Sequence, residues 1–409
     1  MNETNPPNKI VIVGCNHFNV LGVVRSLGRM GVRPYGVLTE KGRKYVSRSR
    51  YWRKVFAVQD EEDLINPLLE NFINEDHKPV LIPCLDGQAA LIDQNYDLLK
   101  ERFILPSING RQGEIVKAMN KLRQYELAQD HGVKMTPTIS IMLPQGARTT
   151  PDFEPPYILK PVMTVEGEKL DIEVCADLAS YRAAIDKFTT LHYPRILVQR
   201  YLSERREFCI SGAIMPSGGF DMAVVENLRR WPLNFGIGSF AKLSLEDDVI
   251  SYARELMSFA RDVGYVGPID IEFFQSKERV FYLNEINWRS SGRNFISFYT
   301  GIHPAYDYYL DATNATRQTF ARINTRAGLV FSGRGELHLA QEGNLPYRTL
   351  LRDMLRANSY STWFWRDPIP FVSEMTRLSG RFVSIVTSRI FSRSSKARDR
   401  KSETYADKD

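Results

Sequence analysis

Residues 267–294 read GPIDIEFFQSKERVFYLNEINWRSSGRN, and the rest of the chain is interpreted around this stretch. Two short apolar runs, 269–274 and 280–286, flank a polar tetrapeptide at 275–278. Apolar runs of this length around a short polar segment predict a β-hairpin. Both predicted strands also carry acidic residues, so the hairpin is the first place to look for a functional site.

The acids of the hairpin should lie on one face. Strand side chains alternate between faces, so Asp270 and Glu272 point the same way from the first strand. Glu285, Asn287 and Arg289 do so from the second if that strand continues far enough. Facing carboxylates repel each other, and carboxylate and amide oxygens are the donors that Mg²⁺ prefers. The hairpin thus predicts a Mg²⁺ site; the alternative is a solvent-facing edge with scattered charges.

Length and composition indicate a soluble protein of two or three domains. The chain has 409 residues, of which 43% are hydrophobic and 25% charged. No run approaches the roughly 20 apolar residues of a membrane span, and the polar start MNETNPPNK is no secretory signal. We therefore expect a cytoplasmic protein. The cysteines are far apart, with no C-x-x-C pair that would indicate zinc or a disulfide framework.

The formal net charge of +6 is concentrated near the carboxyl end. Residues 377–401 hold eight Lys or Arg and one Asp, a local excess of 8 − 1 = +7. The remainder is close to neutral, which argues against a nucleic-acid-binding protein. Apolar residues recur at helical spacing over 371–391, so 371–401 could contact an anionic membrane surface, making the protein peripheral there. Docking on its own core or on a second subunit, as a homodimer, is the alternative. We expect 392–409 to be disordered.

The amino-terminal pattern predicts an open parallel sheet. A β-branched run at 9–14 (KIVIVG), a helical stretch at 20–30 and a strand at 34–38 form a βαβ opening. The first turn lacks G-x-G-x-x-G, so no dinucleotide is implied. A crevice at the carboxyl ends of the strands would lie near Asn16 and Asp86. The alternative for these two residues is a role in turns and caps.

Two candidate binding groups follow in the middle of the chain. Lys160 lies inside an apolar strand at 157–162 (YILKPV), where a lysine needs an anion or must extend its amine to solvent. Glu207 begins another strand after a polar turn, and a carboxylate can accept from two vicinal hydroxyls. The alternative for Glu207 is a charge at a strand edge.

A third candidate lies at 223–243 (AVVENLRRWPLNFGIGSFAKL). It reads as a glycine-bearing loop with Arg229 and Arg230 that could close over an anionic intermediate. An ordinary surface loop is equally compatible with this pattern.

The hairpin resembles the metal-binding core of the ATP-grasp superfamily, in which an acid from one strand and an E-x-N-x-R run from the next hold Mg²⁺ against ATP. The resemblance implies metal ligation by Glu272, Glu285 and Asn287. It also implies that Arg289 reaches a phosphate or a substrate carboxylate. ATP and Mg²⁺ are the implied cofactors, with Mn²⁺ as a substitute.

The same resemblance extends upstream in the superfamily's order. It implies that Lys121 and Lys160 bind phosphate and that Glu207 takes the ribose hydroxyls. The backbone from Gln199 to Tyr201 would lie against adenine. Residues 163–170 (MTVEGEKL) stand where many members have a glycine-rich flap over the phosphates, and this chain departs from that pattern with Gly167 as the one glycine. Fewer glycines leave fewer free backbone amides for phosphate.

The implied fold is α/β and α+β. It consists of a Rossmann-like domain at 1–112, an ATP-grasp domain at 113–320, and a helical extension with a basic amphipathic helix and disordered tail at 321–409. Within the superfamily the chain is most similar to the carboxylate-amine ligases related to D-aspartate ligase, through EINWRSSGRNF, the arginine-rich segment before Trp231-Pro232 and the lead domain.

The resemblance implies a function as well. A small-molecule carboxylate and an amine would be joined into an amide through an acyl phosphate, with ADP and phosphate released. Arg289, Arg293 and the Arg229-Arg230 pair would hold the carboxylate and the acyl phosphate. Two alternatives stay open: a carbamoyl-phosphate synthase-like or biotin carboxylase-like enzyme that uses bicarbonate, and a non-catalytic nucleotide-binding scaffold.

Overall fold

A computed structural model gives the fold. It describes the following residues of the 409: 6–40, 44–162, 172–233, 236–315 and 328–376. Within these ranges the strands form three sheets, and the long hairpin predicted from the sequence lies in the largest of them. No helix in the described ranges is long and apolar enough to cross a membrane.

The amino-terminal sheet is parallel, as predicted, with strand order β3-β2-β1-β4. Val11 and Val13 of β1 pack into one core cluster, while Ile10 and Ile12 pack into another. The β-branched run is therefore buried on both faces, as parallel strands usually are. The elements are β1 (Ile10–Cys15), α1 (Phe18–Arg29), β2 (Tyr35–Thr39), β3 (Lys54–Val58), α2 (Ile65–Phe72), β4 (Val80–Pro83), α3 (Asp86–Gln94) and α4 (Tyr96–Leu99).

A second, antiparallel sheet has strand order β6-β9-β7-β8. Two helices precede it along the chain. Lys160 lies in the third strand of this order, β7, in register with Leu197 of β9. The strand that carries the lysine is therefore paired on both sides. The elements in this part are β5 (Ser107–Ile108), α5 (Glu114–Ala118), α6 (Lys121–Asp130), β6 (Thr138–Met142), β7 (Tyr157–Pro161), β8 (Glu173–Cys175), α7 (Leu178–Thr190) and β9 (Arg195–Arg200).

The largest sheet has the order β14-β13-β10-β11-β12-β15-β16 over the described strands, with β5 paired to β13. The hairpin prediction is confirmed, although β13 is longer than the apolar run suggested because it starts at Tyr265. One face packs on α8 through Leu256, Met257 and Ile271. The elements are β10 (Arg205–Ile214), β11 (Phe220–Trp231), β12 (Ile237–Leu243), α8 (Asp247–Asp262), β13 (Tyr265–Ser276), β14 (Phe281–Asn287), α9 (Ser297–Thr300) and α10 (Pro304–Ala312).

The prediction of a loop at 223–243 is wrong for most of that range, which forms strands. The β11 strand continues to Trp231, and β12 resumes at Ile237, so Arg229 and Arg230 belong to a strand. The reason is pairing: β11 bonds β10 along one edge and β12 along the other, with register shifts on either side of Arg229. These backbone bonds outweigh the turn tendency of the Trp231-Pro232 step.

The carboxyl-terminal extension joins the largest sheet. It contributes β15 (Leu329–Phe331), α11 (Gly333–Gln341), α12 (Tyr347–Arg356) and β16 (Ser359–Tyr360). β15 pairs antiparallel with β12, and β16 pairs parallel with β15. Residues 369–376 are helical, in agreement with the predicted start of an amphipathic helix. The rest of the predicted membrane-contact segment 371–401, and the tail 392–409, lie outside the described residues.

Candidate active site

The hairpin strands set their acids opposite each other. In the register of β13 and β14, Glu272 lies across from Glu285, and Asp270 lies across from Asn287. The register shifts after Glu272, which leaves Asn284 as an extra residue whose amide donates to Glu272 at 3.3 Å. Two carboxylates that face each other in this way are destabilising without a nearby positive charge.

Lys121 supplies such a charge from the first residue of α6. The helix starts here because the Asn120 side chain accepts from the Leu122 amide at 2.9 Å. The Lys121 amide donates to the carbonyl of Val162, just after β7, at 3.0 Å. The Lys121 ammonium nitrogen lies 3.2 Å from Glu285 Oε1. The helix start therefore ties the sheet of β7 to the hairpin of β13 and β14.

Lys160 is the second positive charge at this place. Its relative exposure is 7%. Burial, the largest effect, and the charge of Lys121 lower the pKa of Lys160 to about 8, while Glu285 and Glu272 act in the opposite direction. A buried lysine beside another lysine is stabilised when an anion arrives. We call Lys121, Lys160, Glu272 and Glu285 the lysine-glutamate cluster.

The predicted adenine segment adjoins this cluster on β9. Gln199 lies opposite Ile158 of β7, and its side-chain amide donates to Thr138 Oγ1 at 2.8 Å. The Tyr201 amide donates to the carbonyl of Pro156 at 2.8 Å, so that amide is already used within the protein. The Arg205 guanidinium stacks over the Tyr201 ring, 4.4 Å from its centroid.

Glu207 lies between two arginines. Its carboxylate accepts from Arg205 Nε at 2.8 Å and forms an ion pair with Arg230. The sequence did not predict these two ion pairs. They already neutralise the carboxylate that was expected to bind the ribose hydroxyls. Burial, the largest effect, and the charge of Arg205 lower the pKa of Arg230 to about 10.

The predicted Arg229–Arg230 pair does not act together. Register shifts interrupt the regular strand alternation on either side of Arg229. Arg230 faces Glu207, whereas Arg229 points away from it. Arg229 bonds Glu336 of α11, with Nε to Oε2 at 2.9 Å, and Asp353 of α12, with Nη2 to Oδ2 at 2.7 Å. The Arg229 guanidinium therefore holds the carboxyl-terminal extension, and a contact of Arg229 with the substrate stays a prediction.

Arg289 joins the amino-terminal domain to the hairpin of β13 and β14. Its Nη1 donates to Asp270 Oδ2 at 2.6 Å, and its Nε lies 3.2 Å from Asp86 Oδ1 at the start of α3. The structure thus brings the predicted crevice residue Asp86 to the hairpin. The Arg289 guanidinium lies between two protein carboxylates, and its contact with a phosphate or a substrate carboxylate stays a prediction.

Arg293 lies in the loop after β14, where it is 6% exposed. Its Nη2 donates to Asn227 Oδ1 of β11 at 2.6 Å. Gly238 of β12 makes room for this contact: a Cβ there would lie 2.0 Å from Arg293 Nη2 and 2.1 Å from Asn227 Oδ1. Arg293 and Arg230 therefore approach the same region from two elements, and Arg293 also acts to lower the pKa of Arg230.

Two residues of the site were missed in the sequence. Arg205 precedes Glu207 by two positions on one strand, and this spacing alone places both side chains on the same face. Asn227 carried no comparable signal, because its contact with Arg293 depends on a strand pairing that brings together residues 66 positions apart.

The donor set suits a hard divalent cation better than a soft metal. No group of three or more His, Cys, Asp or Glu side chains among the described residues is arranged to hold a metal. The predicted set has two carboxylates, Glu272 and Glu285, and the amide of Asn287. That amide donates through its nitrogen to Asp270 Oδ2 at 3.4 Å, which keeps its oxygen for a cation. Oxygen donors of this number fit Mg²⁺, which usually retains waters and phosphate oxygens.

The predicted flap cannot be placed beside this set. Residues 163–170, with Gly167, lie outside the described part of the chain. The strand that leads to them, β7, carries Lys160 and ends at Pro161.

A sequence relative has a known activity. The chain is 32% identical over 265 residues to D-aspartate ligase of Enterococcus faecium (strain Aus0004). The match covers 60% of this chain and 61% of that protein, so it spans less than two thirds of the relative. No protein-family model matches the chain.

Solved structures share the fold at lower identity. N5-carboxyaminoimidazole synthetase of Staphylococcus aureus has a TM-score of 0.61 at 15% identity, covering 84% of this chain and 88% of that one. L-amino acid ligase of Bacillus licheniformis has a TM-score of 0.60 at 14% identity, covering 79% and 80%. The biotin carboxylase domain of 2-oxoglutarate carboxylase from Hydrogenobacter thermophilus has a TM-score of 0.59 at 15% identity, covering 78% and 73%. The chain therefore has the ATP-grasp fold of these structures, and it is similar in sequence to D-aspartate ligase over 60% of its length.

Proposed function

We propose that the protein is an ATP-dependent carboxylate-amine ligase that forms an amide and releases ADP and phosphate. The observation that carries the proposal is the lysine-glutamate cluster: Lys121 pairs with Glu285 at 3.2 Å, and the charges of Lys121, Glu272 and Glu285 act on the buried Lys160. Two cations and two hard oxygen donors in one partly buried place suit a polyphosphate with its metal. The relationship to D-aspartate ligase supports the amide-forming class.

ATP and Mg²⁺ are the proposed nucleotide and metal. The synthetase of Staphylococcus aureus has been solved with ADP, and the carboxylase domain of Hydrogenobacter thermophilus has been solved with ADP, MgADP and bicarbonate. In this chain Glu272, Glu285 and Asn287 would hold the metal. A bound Mg²⁺ supplies charge neutralisation on the phosphates in such chemistry.

The side chains of the chain position and neutralise charge. We propose that Lys121 and Lys160 bind the phosphates while the substrate carboxylate attacks the terminal phosphorus and ADP leaves. The acyl phosphate is then attacked by the amine, so the amide forms as phosphate leaves. Neither step needs a nucleophilic side chain, because orientation and electrostatic stabilisation account for such catalysis.

We propose Arg230 and Arg293 as the contacts to the substrate carboxylate and acyl phosphate. Both are largely buried, and they approach the same region from β11 and from the loop after β14. Arg289 would be a positioning residue, because its guanidinium already holds Asp270 and Asp86. Tyr201 and Gln199 would border the base, and Glu207 would reach the ribose only if one of its arginines turned away.

The test is ADP release from Mg²⁺-ATP over a panel of amino acids and small carboxylates. The proposal expects release that requires one acid and one amine, with an amide as the product. Release that requires bicarbonate and no amino acid would indicate a carboxylating enzyme. No turnover with any substrate would leave the scaffold alternative.

Glu285→Ala tests the site within the same assay. We expect ADP formation to fall by at least about a thousandfold, because metal and phosphate contacts are lost together. Glu278→Ala, an exposed acid in the hairpin turn, is the matched control and should turn over normally. Turnover by Glu285→Ala at the wild-type rate would contradict the assignment.

A further inference from the structure

Exposed apolar side chains are concentrated in one carboxyl-terminal segment. Half of the large hydrophobic side chains that are exposed in the described chain lie in residues 347–376. They are Tyr347, Leu351, Met354, Leu355, Trp363, Trp365, Ile369, Val372 and Met375. We call this set the C-terminal apolar surface. Concentrated exposed apolar surface usually marks an interaction site.

Helix α12 exposes most of its apolar residues to solvent instead of burying them against a core. Its apolar residues fall at positions 347, 350, 351, 354 and 355, the spacing of one helical stripe. Leu351 and Leu355 on this stripe are 54% and 74% exposed. The buried side chain of the helix is Asp353, which bonds Arg229 at 2.7 Å. The ion pair and Leu350, which packs on a small core cluster, therefore anchor the helix, while the other apolar residues of the stripe are exposed.

The charges around this surface are sorted by sign. The acids of residues 347–376 are all buried: Asp353 is 4% exposed, Asp367 1% and Glu374 4%. The basic residues in the same segment are all exposed: Arg348, Arg352, Arg356 and Arg366. The surface thus combines apolar and aromatic side chains with positive charge alone.

A cleft of about 300 Å³ opens within the segment. Arg29 and Arg366 line it together with Trp363, Phe364 and Trp365. Burial and the charge of Arg366 lower the pKa of Arg29. Two guanidiniums among aromatic rings favour an anionic group such as a phosphate.

We propose that the C-terminal apolar surface seats on an anionic phospholipid bilayer, with a lipid phosphate between Arg29 and Arg366. Exposed leucine, tryptophan and arginine side chains within one short segment match the composition of interfacial segments on acidic lipid. The surface lies upstream of most of the segment in which the sequence predicted membrane contact, and it is carried by described residues. Membrane binding by this surface does not depend on ATP, so the proposal goes beyond the proposed ligase activity.

Charge argues against the other occupants. A second copy would bring the same arginines against these, and the tail from 377 onward adds more positive charge, so both would be repelled. Nucleic acids would match the arginines, but their protein contacts are mostly to phosphate and sugar and would leave the aliphatic side chains without a role.

The test is flotation of the full-length protein with phosphatidylcholine vesicles, with and without phosphatidylglycerol. We expect flotation with the anionic vesicles only, weakened by salt. Leu351→Ser/Leu355→Ser should reduce binding about tenfold or more, because two largely exposed leucines no longer enter the bilayer. Arg348→Glu/Arg356→Glu should reduce it by at least about fivefold for each arginine.

Leu98→Ser/Leu191→Ser is the matched control, since both leucines are exposed on other elements. Wild-type flotation by the Leu351→Ser/Leu355→Ser variant would overturn the proposal and assign binding to the tail. Absence of flotation by the wild type would overturn it as well. So would a dimer, detected by light scattering, that the same two serines dissociate. ADP release by all variants, measured in parallel, separates this outcome from a failure of the ligase proposal.

Discussion

At the scale of single residues, the proposed nucleotide site depends most on the buried Lys160. An ammonium in a paired, apolar strand is unusual enough to be recognised in the sequence, and the structure adds the lysine and two glutamates that surround it. The acids of the hairpin could also be predicted, because alternation fixes their common face. Arg205 and Asn227 could not be assigned partners in the same way, since their contacts depend on how distant strands pair.

Activity should depend on pH through Lys160. Its pKa of about 8 means that the ammonium is charged below this pH and neutral above it. We expect kcat/KM for ATP to fall as pH rises through 8, approaching about tenfold per pH unit, because the neutral amine no longer binds phosphate. Lys160→Arg should remove this decline, since arginine stays charged. The same decline in both proteins would show that another group titrates.

At the scale of elements, the register shifts around Arg229 decide which way the arginines of β11 point. Arg230 faces Glu207, whereas Arg229 reaches α11 and α12 on the opposite side. The sequence placed both in a loop, because the glycines and Trp231-Pro232 resemble turn chemistry. Strand pairing on both edges overrode that local signal, and a single sequence does not reveal such long-range pairing.

Arg229→Ala should destabilise the protein without damaging the site. Glu336 has no exposed surface and would lose its guanidinium partner, so we expect a loss of about 3–5 kcal/mol in the free energy of unfolding. Denaturant unfolding measures this, with Arg254→Ala on the exposed face of α8 as the control. ADP formation per folded molecule should stay near that of the wild type. Full stability with lost activity would instead assign Arg229 to the substrate.

Gly238→Ala should impair substrate binding and leave the stability of the protein almost unchanged. The added methyl would meet the ends of the Arg293 and Asn227 side chains, which can move aside at little cost in stability. We expect a melting temperature close to that of the wild type and a rise in KM for the acid, because Arg293 is displaced. Gly219→Ala, where a Cβ meets Ser217 Oγ at an ordinary 3.8 Å, is the control. Unchanged kinetics for Gly238→Ala would remove Arg293 from substrate binding.

At the scale of the whole molecule, buried ion pairs connect distant parts of the chain. Arg25 of α1 bonds Asp367, with Nε to Oδ2 at 2.8 Å, and also the Thr362 carbonyl at 2.9 Å. Arg289 connects Asp86, the first residue of α3, to the hairpin. The sequence predicted the kinds of elements present, but these connections, which position the carboxyl-terminal segment, had no local signature.

Arg25→Met should loosen the carboxyl-terminal segment. Asp367 is 1% exposed and would keep its charge without its guanidinium, which costs about 3–5 kcal/mol. Limited proteolysis should then cut within residues 359–376 much faster than in the wild type. Arg53→Met, at an exposed position of the same domain, is the control. Equal cleavage rates in Arg25→Met and the wild type would show that the ion pair does not hold the segment.

The central claim is that the hairpin and the two lysines form one nucleotide and metal site. A crystal structure of the protein with ADP and Mn²⁺, with anomalous scattering used to locate the metal, tests it directly. We predict an anomalous peak for a metal ion coordinated by Glu272 and Glu285, with phosphate oxygens in contact with Lys121 and Lys160. A metal bound elsewhere, or a nucleotide whose phosphates lie away from Lys160, would contradict it.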